Sequence, residues 1–213
     1  MIVPDNVFLG GLAISKERIT IACDHAGLSL KGDIKELLKK KGYEVDDLGT
    51  NSSESVDYPD YGHLMAQKII SGEAKRGILI CGTGIGMSIT ANRYIGVRAA
   101  LCSDSYSARM SRMHNDSNVL VIGGRVTGTS LAEEIVSVWL ETDFEGGRHA
   151  KRLDKIDKDR VEKVVHRVVA KYLENLQEVD FDSLEKMVEE AIDVVLAENG
   201  AKETDGKNGK KKR

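Results

Sequence analysis

The stretch Ile78-Leu79-Ile80-Cys81-Gly82-Thr83-Gly84-Ile85-Gly86-Met87-Ser88 carries the most chemistry per residue. An apolar run of strand character ends in a cysteine. A glycine-rich turn follows, and then helical spacing begins. Glycines let a backbone approach a ligand closely and adopt positive φ. The start of the following helix offers unpaired N–H groups and the positive end of its dipole. A thiol held there has a lowered pKa and is a better base and nucleophile. The same N–H groups can hold a developing oxyanion. Spacing removes three familiar loops. A dinucleotide fingerprint and a Cys-x5-Arg loop would need Gly or Arg at position 87, which is Met. A P-loop would need a Gly-Lys-Ser/Thr ending, also missing. The competing reading is a buried cysteine beside a tight turn.

Five further loops hold polar groups. Cys23-Asp24-His25-Ala26-Gly27 ends the first apolar run, where an Asp-His pair either contacts a ligand or caps a helix. Asp57-Tyr58-Pro59-Asp60-Tyr61 reads as a helix N-terminus with Asp60 near the cap. His114-Asn115-Asp116 follows a helical stretch, and Arg125 lies just past the last strand. Gly146-Gly147-Arg148-His149 and Arg152 come next. Each arginine alone is a surface charge, whereas several converging on one pocket form a phosphate clamp. Histidines at 25, 63, 114, 149 and 166 show no HxH or HExxH spacing, and the cysteines give no zinc pattern, so no metal is expected.

These loops must be positioned by regular elements. Strands are expected at Ile19–Cys23, Tyr43–Leu48, Gly77–Cys81, Val97–Cys102 and Val119–Ile122. Helical spacing fills Leu28–Lys41, Tyr61–Ser71, Ile85–Tyr94, Asp104–Met113 and Thr129–Leu140. The alternation predicts a five-stranded parallel sheet with helices on both faces, a three-layer α/β/α Rossmann-like fold with its ligand site at the carboxyl ends of the strands. After about Asp154 no strand is expected. Val161, Val164, Val165, Val168, Val169, Tyr172, Leu173 and Leu176 form one amphipathic stripe, and a second runs from Asp182 to Gly200. The expected organisation is a leader over 1–18, a core over 19–157, a helical hairpin over 158–200 and a disordered basic tail over 201–213.

At 213 residues the chain suits one domain with an appendage, and 41% hydrophobic residues suffice for a core. A net charge of −3 gives no general affinity for nucleic acid, although Gly206–Arg213 holds five positive charges and no negative ones. No apolar run reaches the ~18–20 residues that span a bilayer, and Met1–Asp5 does not open a secretory signal. Three cysteines without a CxxC pair point to a reducing cytoplasm.

Taken together the loops resemble the type B ribose-5-phosphate isomerases, a family that includes galactose-6-phosphate isomerase subunits. The matching pieces run in order from about residue 19 to 156. They are Cys23–Gly27, Gly49-Thr50, Asp57–Pro59, Cys81–Gly86, Ala91-Asn92, Cys102-Ser103, His114–Asp116, Asn118–Leu120, Gly123–Arg125 and Glu145–His149. The resemblance implies an aldose–ketose isomerase of carbohydrate metabolism, with ribose 5-phosphate and ribulose 5-phosphate, metabolites of the pentose phosphate pathway, as the leading pair.

The resemblance also implies roles. Cys81 is the base that moves a proton between neighbouring carbons through an enediolate, and Thr83 assists proton shuttling between the oxygens. The N–H groups of Gly82, Gly84 and Gly86 hold the enediolate oxygen. His114, with Asp24, opens the sugar ring; Asn115 contacts the intermediate and Tyr58 the sugar. His25, Arg125, Arg148 and Arg152 bind the phosphate. No cofactor is implied. A homodimer with shared sites, or a tetramer, is implied, with His114, Asn115 and Arg125 supplied by the partner chain. Competing readings are the same chemistry on galactose 6-phosphate, allose 6-phosphate or a tetrose phosphate, and a non-catalytic sugar-phosphate sensor. The helical extension and the leader depart from the family pattern.

Overall fold

In a computed structural model, residues 17–173 are described, together with 182, 185, 186, 188 and 189. The chain forms two compact units, Met1–Phe144 and Glu145–Arg213. The first holds strands β1 (Arg18–Cys23), β2 (Glu44–Asp47), β3 (Gly77–Cys81), β4 (Ala99–Leu101) and β5 (Val119–Gly123). Between and after them run helices α1 (Leu28–Lys40), α2 (Tyr58–Ile70), α3 (Ile85–Ala91), α4 (Ser105–Asn115) and α5 (Thr129–Glu141). All strand pairs are parallel, in the order β2-β1-β3-β5-β4.

Alternation along the strands sorts the core into two layers. Ile19, Ile21, Ile78, Ile80, Leu120 and Ile122 face Leu30, Ile34 and Leu38 of α1 and Ile135, Val136 and Trp139 of α5. Ala22, Leu79, Cys81, Val119 and Val121 face the other way, onto Met65 and Ala66 of α2 and Met87 and Ala91 of α3. The central strands β3 and β5 are buried on both faces along their whole length. Near-continuous apolar sequence is what such a parallel strand requires. Trp139, the single tryptophan, is fully buried. Its Nε1–H donates to Ser117 Oγ at 2.7 Å, and the guanidinium groups of Arg76 and Arg112 each lie 5.7 Å from its ring centre.

After β1 the chain adds β2 on one side, and it then crosses back to place β3 on the other. The β1–β3 seam is therefore the point where the strand order reverses, and a ligand crevice opens there beyond the carboxyl ends. β4 is an edge strand shorter than the expected Val97–Cys102. The amide of Asn92 stands beside its outer rim, donating to Ala99 O at 2.8 Å and accepting from Ala99 N at 2.9 Å. A side chain thus occupies the place where another strand would pair.

In the second unit, helix α6 runs without a break from Arg148 to Leu173. Gly146 (φ +67°) and Gly147 (φ +58°) form the left-handed turn before it. The expected boundary at residue 157 falls inside this helix. Residues 182, 185, 186, 188 and 189 are also helical. The rest of the expected second helix, the basic tail and residues 1–16 of the leader lie outside the described residues. No helix among the described residues is long and apolar enough to cross a membrane.

Candidate active site

Three loops meet at the β1–β3 seam. After β1, Asp24 N–H donates to Ile80 O at 3.2 Å, tying the first loop to β3. The buried Asp24 carboxylate accepts from Ala26 N at 2.9 Å and Gly27 N at 3.1 Å, capping a short 3-10 turn over His25–Gly27. Asp24 is thus a cap. His25, half-buried beside it, accepts through Nδ1 from Val56 N–H at 3.2 Å. That bond leaves its Nε2 as the nitrogen that carries the proton of a neutral ring.

After β3, Cys81 is 4% exposed, and the N–H of Gly84 donates to its sulfur at 3.2 Å. Gly84 has φ +78°, a left-handed conformation that strains any residue with a side chain, and a Cβ there would also press on the Leu101 side chain. Thr83 is exposed, its Oγ1 accepting from Ile85 N–H at 3.4 Å. A Cβ on Gly86 would lie 2.5 Å from the Tyr58 ring, so that ring rests on the glycine backbone at the start of α3. After β5, Gly124 N–H donates to Cys81 O at 2.7 Å and Arg125 N–H to Gly82 O at 3.0 Å. A Cβ on Gly82 would be 3.6 Å from Arg125 Cδ. Arg125, expected from a partner chain, therefore stands beside the glycine loop of its own chain.

His114 and Asn115 lie elsewhere. They close α4, which starts beyond the carboxyl end of β4 and runs back against the strand direction. Eleven residues of helix carry the chain about 16 Å. Its end is fixed at the amino edge of the sheet, where Asp116 pairs with Arg98, the residue just before β4, at 2.8 Å. One chain thus carries Cys81, Thr83, Asp24, His25, Tyr58 and Arg125 at one edge of its sheet and His114 and Asn115 at the other. Arg148 and Arg152 are exposed on the first two turns of α6 in the second unit, with Arg148 Nε 3.3 Å from His149 Nε2.

The sequence pattern missed one buried ionic cluster. Lys31 of α1 is 2% exposed, and its ammonium donates to Asp47 Oδ1 at 2.8 Å, Thr50 O at 2.8 Å and Asn51 Oδ1 at 3.3 Å. Burial alone would raise the Asp47 pKa, but hydrogen bonds from Lys31, Lys35 and the Gly49 N–H outweigh it and hold the carboxyl below its ordinary range. The available signal was the place of Lys31 on the apolar stripe, one turn before Ile34, on a helix whose Lys39 and Lys40 are exposed.

The other two cysteines are structural. Burial pushes the Cys23 and Cys102 thiols up to about 11. An unfolded thiol ionises near about 8.5. Between these values the unfolded chain has lost protons that the folded chain retains, so stability is full below about pH 8.5 and declines as pH rises toward 11. Thermal melting of a Cys23→Ala/Cys102→Ala double variant is expected to fall less steeply between pH 8 and 10.5 than that of the parent. Parallel slopes would contradict the assignment.

A parallel sheet with a cysteine, a glycine loop and an arginine at its switch point defines an α/β enzyme working at the carboxyl edge. Comparison with known proteins gives the family. The Ribose/Galactose Isomerase family matches residues 19–156. Ribose-5-phosphate isomerase B of Escherichia coli is 51% identical over 66% of this chain and 94% of its own length. D-erythrulose-4-phosphate isomerase of Pectobacterium atrosepticum is 45% identical over 65% of this chain and 91% of its own. Among solved structures, ribose-5-phosphate isomerase B of Clostridium thermocellum is 55% identical with a TM-score of 0.66, covering 67% of this chain and 97% of that one. The chain belongs to this family and is an isomerase of the aldose–ketose class. The match ends at residue 156, within α6.

Proposed function

We propose that the protein interconverts ribose 5-phosphate and ribulose 5-phosphate, with Cys81 as the proton-transfer base and each site shared between two chains of a homodimer in the cytoplasm. The observation that carries the reading is the Cys81 sulfur at the switch point, under the Gly84 N–H and between the Asp24-His25 and Arg125 loops. Similarity to a ribose-5-phosphate isomerase B solved with bound ribulose 5-phosphate, that of Mycoplasma genitalium, supports the pentose (44% identity, TM-score 0.65, 67% of this chain and 95% of that one). The erythrulose 4-phosphate relative shows that the family varies its sugar at 45% identity, so chain length is the point to test.

The chemistry balances as follows. In the open aldose, the Cys81 thiolate takes the proton from C2, the C2 electrons form the C1=C2 bond, and the carbonyl pair moves onto O1. N–H groups of the glycine loop stabilise that oxygen. Thr83 passes a proton from O2 toward O1, the C2 carbonyl forms, and Cys81 returns its proton to C1. Tyr58 packs against the sugar. His25 and Arg125, with Arg148 and Arg152, hold the phosphate, the arginines by paired hydrogen bonds.

Ring opening requires a second acid–base group. His114 lies across the sheet from Cys81 of its own chain, which favours supply by a partner. Mixing tests this. Cys81→Ala and His114→Ala proteins are each expected to be inactive on ribose 5-phosphate. Unfolded together and refolded in equal amounts, half of the dimers are mixed, and each mixed dimer holds one complete site, so about a quarter of parental activity returns. No recovery would show that both groups serve one chain. A panel of four-, five- and six-carbon sugar phosphates fixes the substrate: the largest kcat/KM is expected for ribose 5-phosphate, and a larger value for a tetrose or hexose phosphate would reassign it.

A further inference from the structure

His114 and Asn115 sit on the last turn of a helix, where backbone ends ordinarily fray, yet ring opening needs an imidazole in a fixed place. The residue that stops the helix is Asp116. It has φ +43°, the only left-handed non-glycine among the described residues. That conformation is uncommon for a side-chain-bearing residue and persists where the surroundings hold it. Two arginines do so, one on α4 and one just before β4. Arg112, one turn back on α4, donates to Asp116 Oδ1 at 2.8 Å, and Arg98 donates to Oδ2 at 2.8 Å. Arg98 Nε also donates to the Asp116 carbonyl at 2.8 Å, gripping the backbone as well as the carboxylate. The N–H groups of Asp116 and Ser117 turn back to Arg112 O at 3.1 Å and Ser111 O at 3.0 Å. The two clamps are themselves anchored. Arg112 reaches Ser117 O at 2.6 Å and lies over the buried Trp139, and Arg98 N–H donates to Asn118 Oδ1 at 2.8 Å.

We propose that Asp116 is a positioning residue for ring opening: its doubly clamped carboxylate and left-handed backbone fix the end of α4, and with it the imidazole of His114. A plain helix stop would need only glycine, which adopts this φ without cost. An aspartate bound by two guanidinium groups adds a defined direction to the two residues before it. The inference rests on the reading of His114 as the ring-opening group.

The test separates ring opening from carbon proton transfer. Ribose 5-phosphate is mostly cyclic, whereas ribulose 5-phosphate stays open because its O5 carries the phosphate. Exchange of the C1 hydrogen of ribulose 5-phosphate with deuterated water needs the base alone. His114→Ala is the reference, expected to lose turnover of the cyclic aldose and keep exchange on the open ketose. Asp116→Gly, which keeps φ and the Arg98 bond to the backbone carbonyl but removes both carboxylate clamps, is expected to show the same split: turnover about tenfold lower, exchange within about threefold of the parent. Asp116→Asn, which tolerates the backbone and still accepts from arginine, is expected to restore most of the turnover. Unchanged turnover in Asp116→Gly, or turnover and exchange falling together, would overturn the proposal. A His114→Ala protein without the split would instead remove the reading of His114 on which it rests.

Discussion

Cys81→Ala is expected to fold and bind inorganic phosphate like the parent while its kcat/KM on ribose 5-phosphate falls about 10³-fold. General-base catalysis contributes about 10²–10⁴-fold, and in the proposed reaction the abstracted proton sits on carbon, where water is a poor substitute. The structural cost is small by comparison. Alanine keeps a Cβ in the buried cluster that holds Met65, Met87 and Val121, and losing one buried sulfur costs about 1 kcal/mol. Cys81→Ser sharpens the test, since the hydroxyl keeps the size and can accept from the Gly84 N–H but is a far weaker acid than a thiol. It is expected to lose as much activity as the alanine variant. Steady-state rates with both variants, beside circular dichroism melts, decide the matter. Activity within tenfold of the parent would place the base elsewhere.

Asp47→Asn is expected to lower unfolding free energy by about 3–5 kcal/mol without touching any group assigned to the reaction. The change is nearly isosteric, so packing is preserved. It removes the counter-charge of an ammonium whose side chain is 3% exposed, leaving Lys31 with neutral acceptors only. Breaking a buried pair from one side costs about that much, because the remaining charge stays desolvated. Replacing both partners by apolar groups of similar size, as Lys31→Met/Asp47→Leu, is expected to recover more than half of the loss. Urea unfolding followed by circular dichroism gives the numbers, and a loss under 1 kcal/mol for the single variant would show that Lys35 or water compensates. The acid limb carries a second signature. The folded carboxyl titrates below its unfolded value, so its stabilisation is present above about pH 4 and is lost as pH falls through the folded value. The Asp47→Asn protein lacks this contribution, and its stability is expected to decline less between pH 5 and 3.

Much of this was legible from residue order alone. Apolar runs between amphipathic stretches announced β1, β3 and β5, because a parallel strand buried on both faces has no other way to be written, whereas the edge strands β2, with Glu44, Asp46 and Asp47, and β4 were read from their place in the alternation of strand and helix. Helix ends were harder. α2 starts at Tyr58 because Pro59 suits a first turn, which brings the tyrosine onto the helix over Gly86. α4 runs past Met113 to Asn115 because its stop is a left-handed aspartate clamped by two arginines, a tertiary arrangement that no local pattern spells out. The glycine loop and the Asp-His pair were found by type and spacing. Lys31 was not, since its partners lie 16 to 20 residues away, and a lysine pattern by itself says solvent. Arg125 was visible as a charge, and its place beside Gly82 depended on β5 lying next to β3, a pairing of strands distant in sequence.

The single tryptophan has a use beyond packing. Every photon that the protein emits under tryptophan-selective excitation comes from one indole, fully shielded from water and within 5.7 Å of two guanidinium groups. One of those groups is Arg112, which also holds the residue that ends α4. The native chain therefore carries an intrinsic optical probe wired to the His114 edge of the sheet. Ligand-induced shifts there can be followed in real time by stopped-flow fluorescence, with no label and no second indole to subtract.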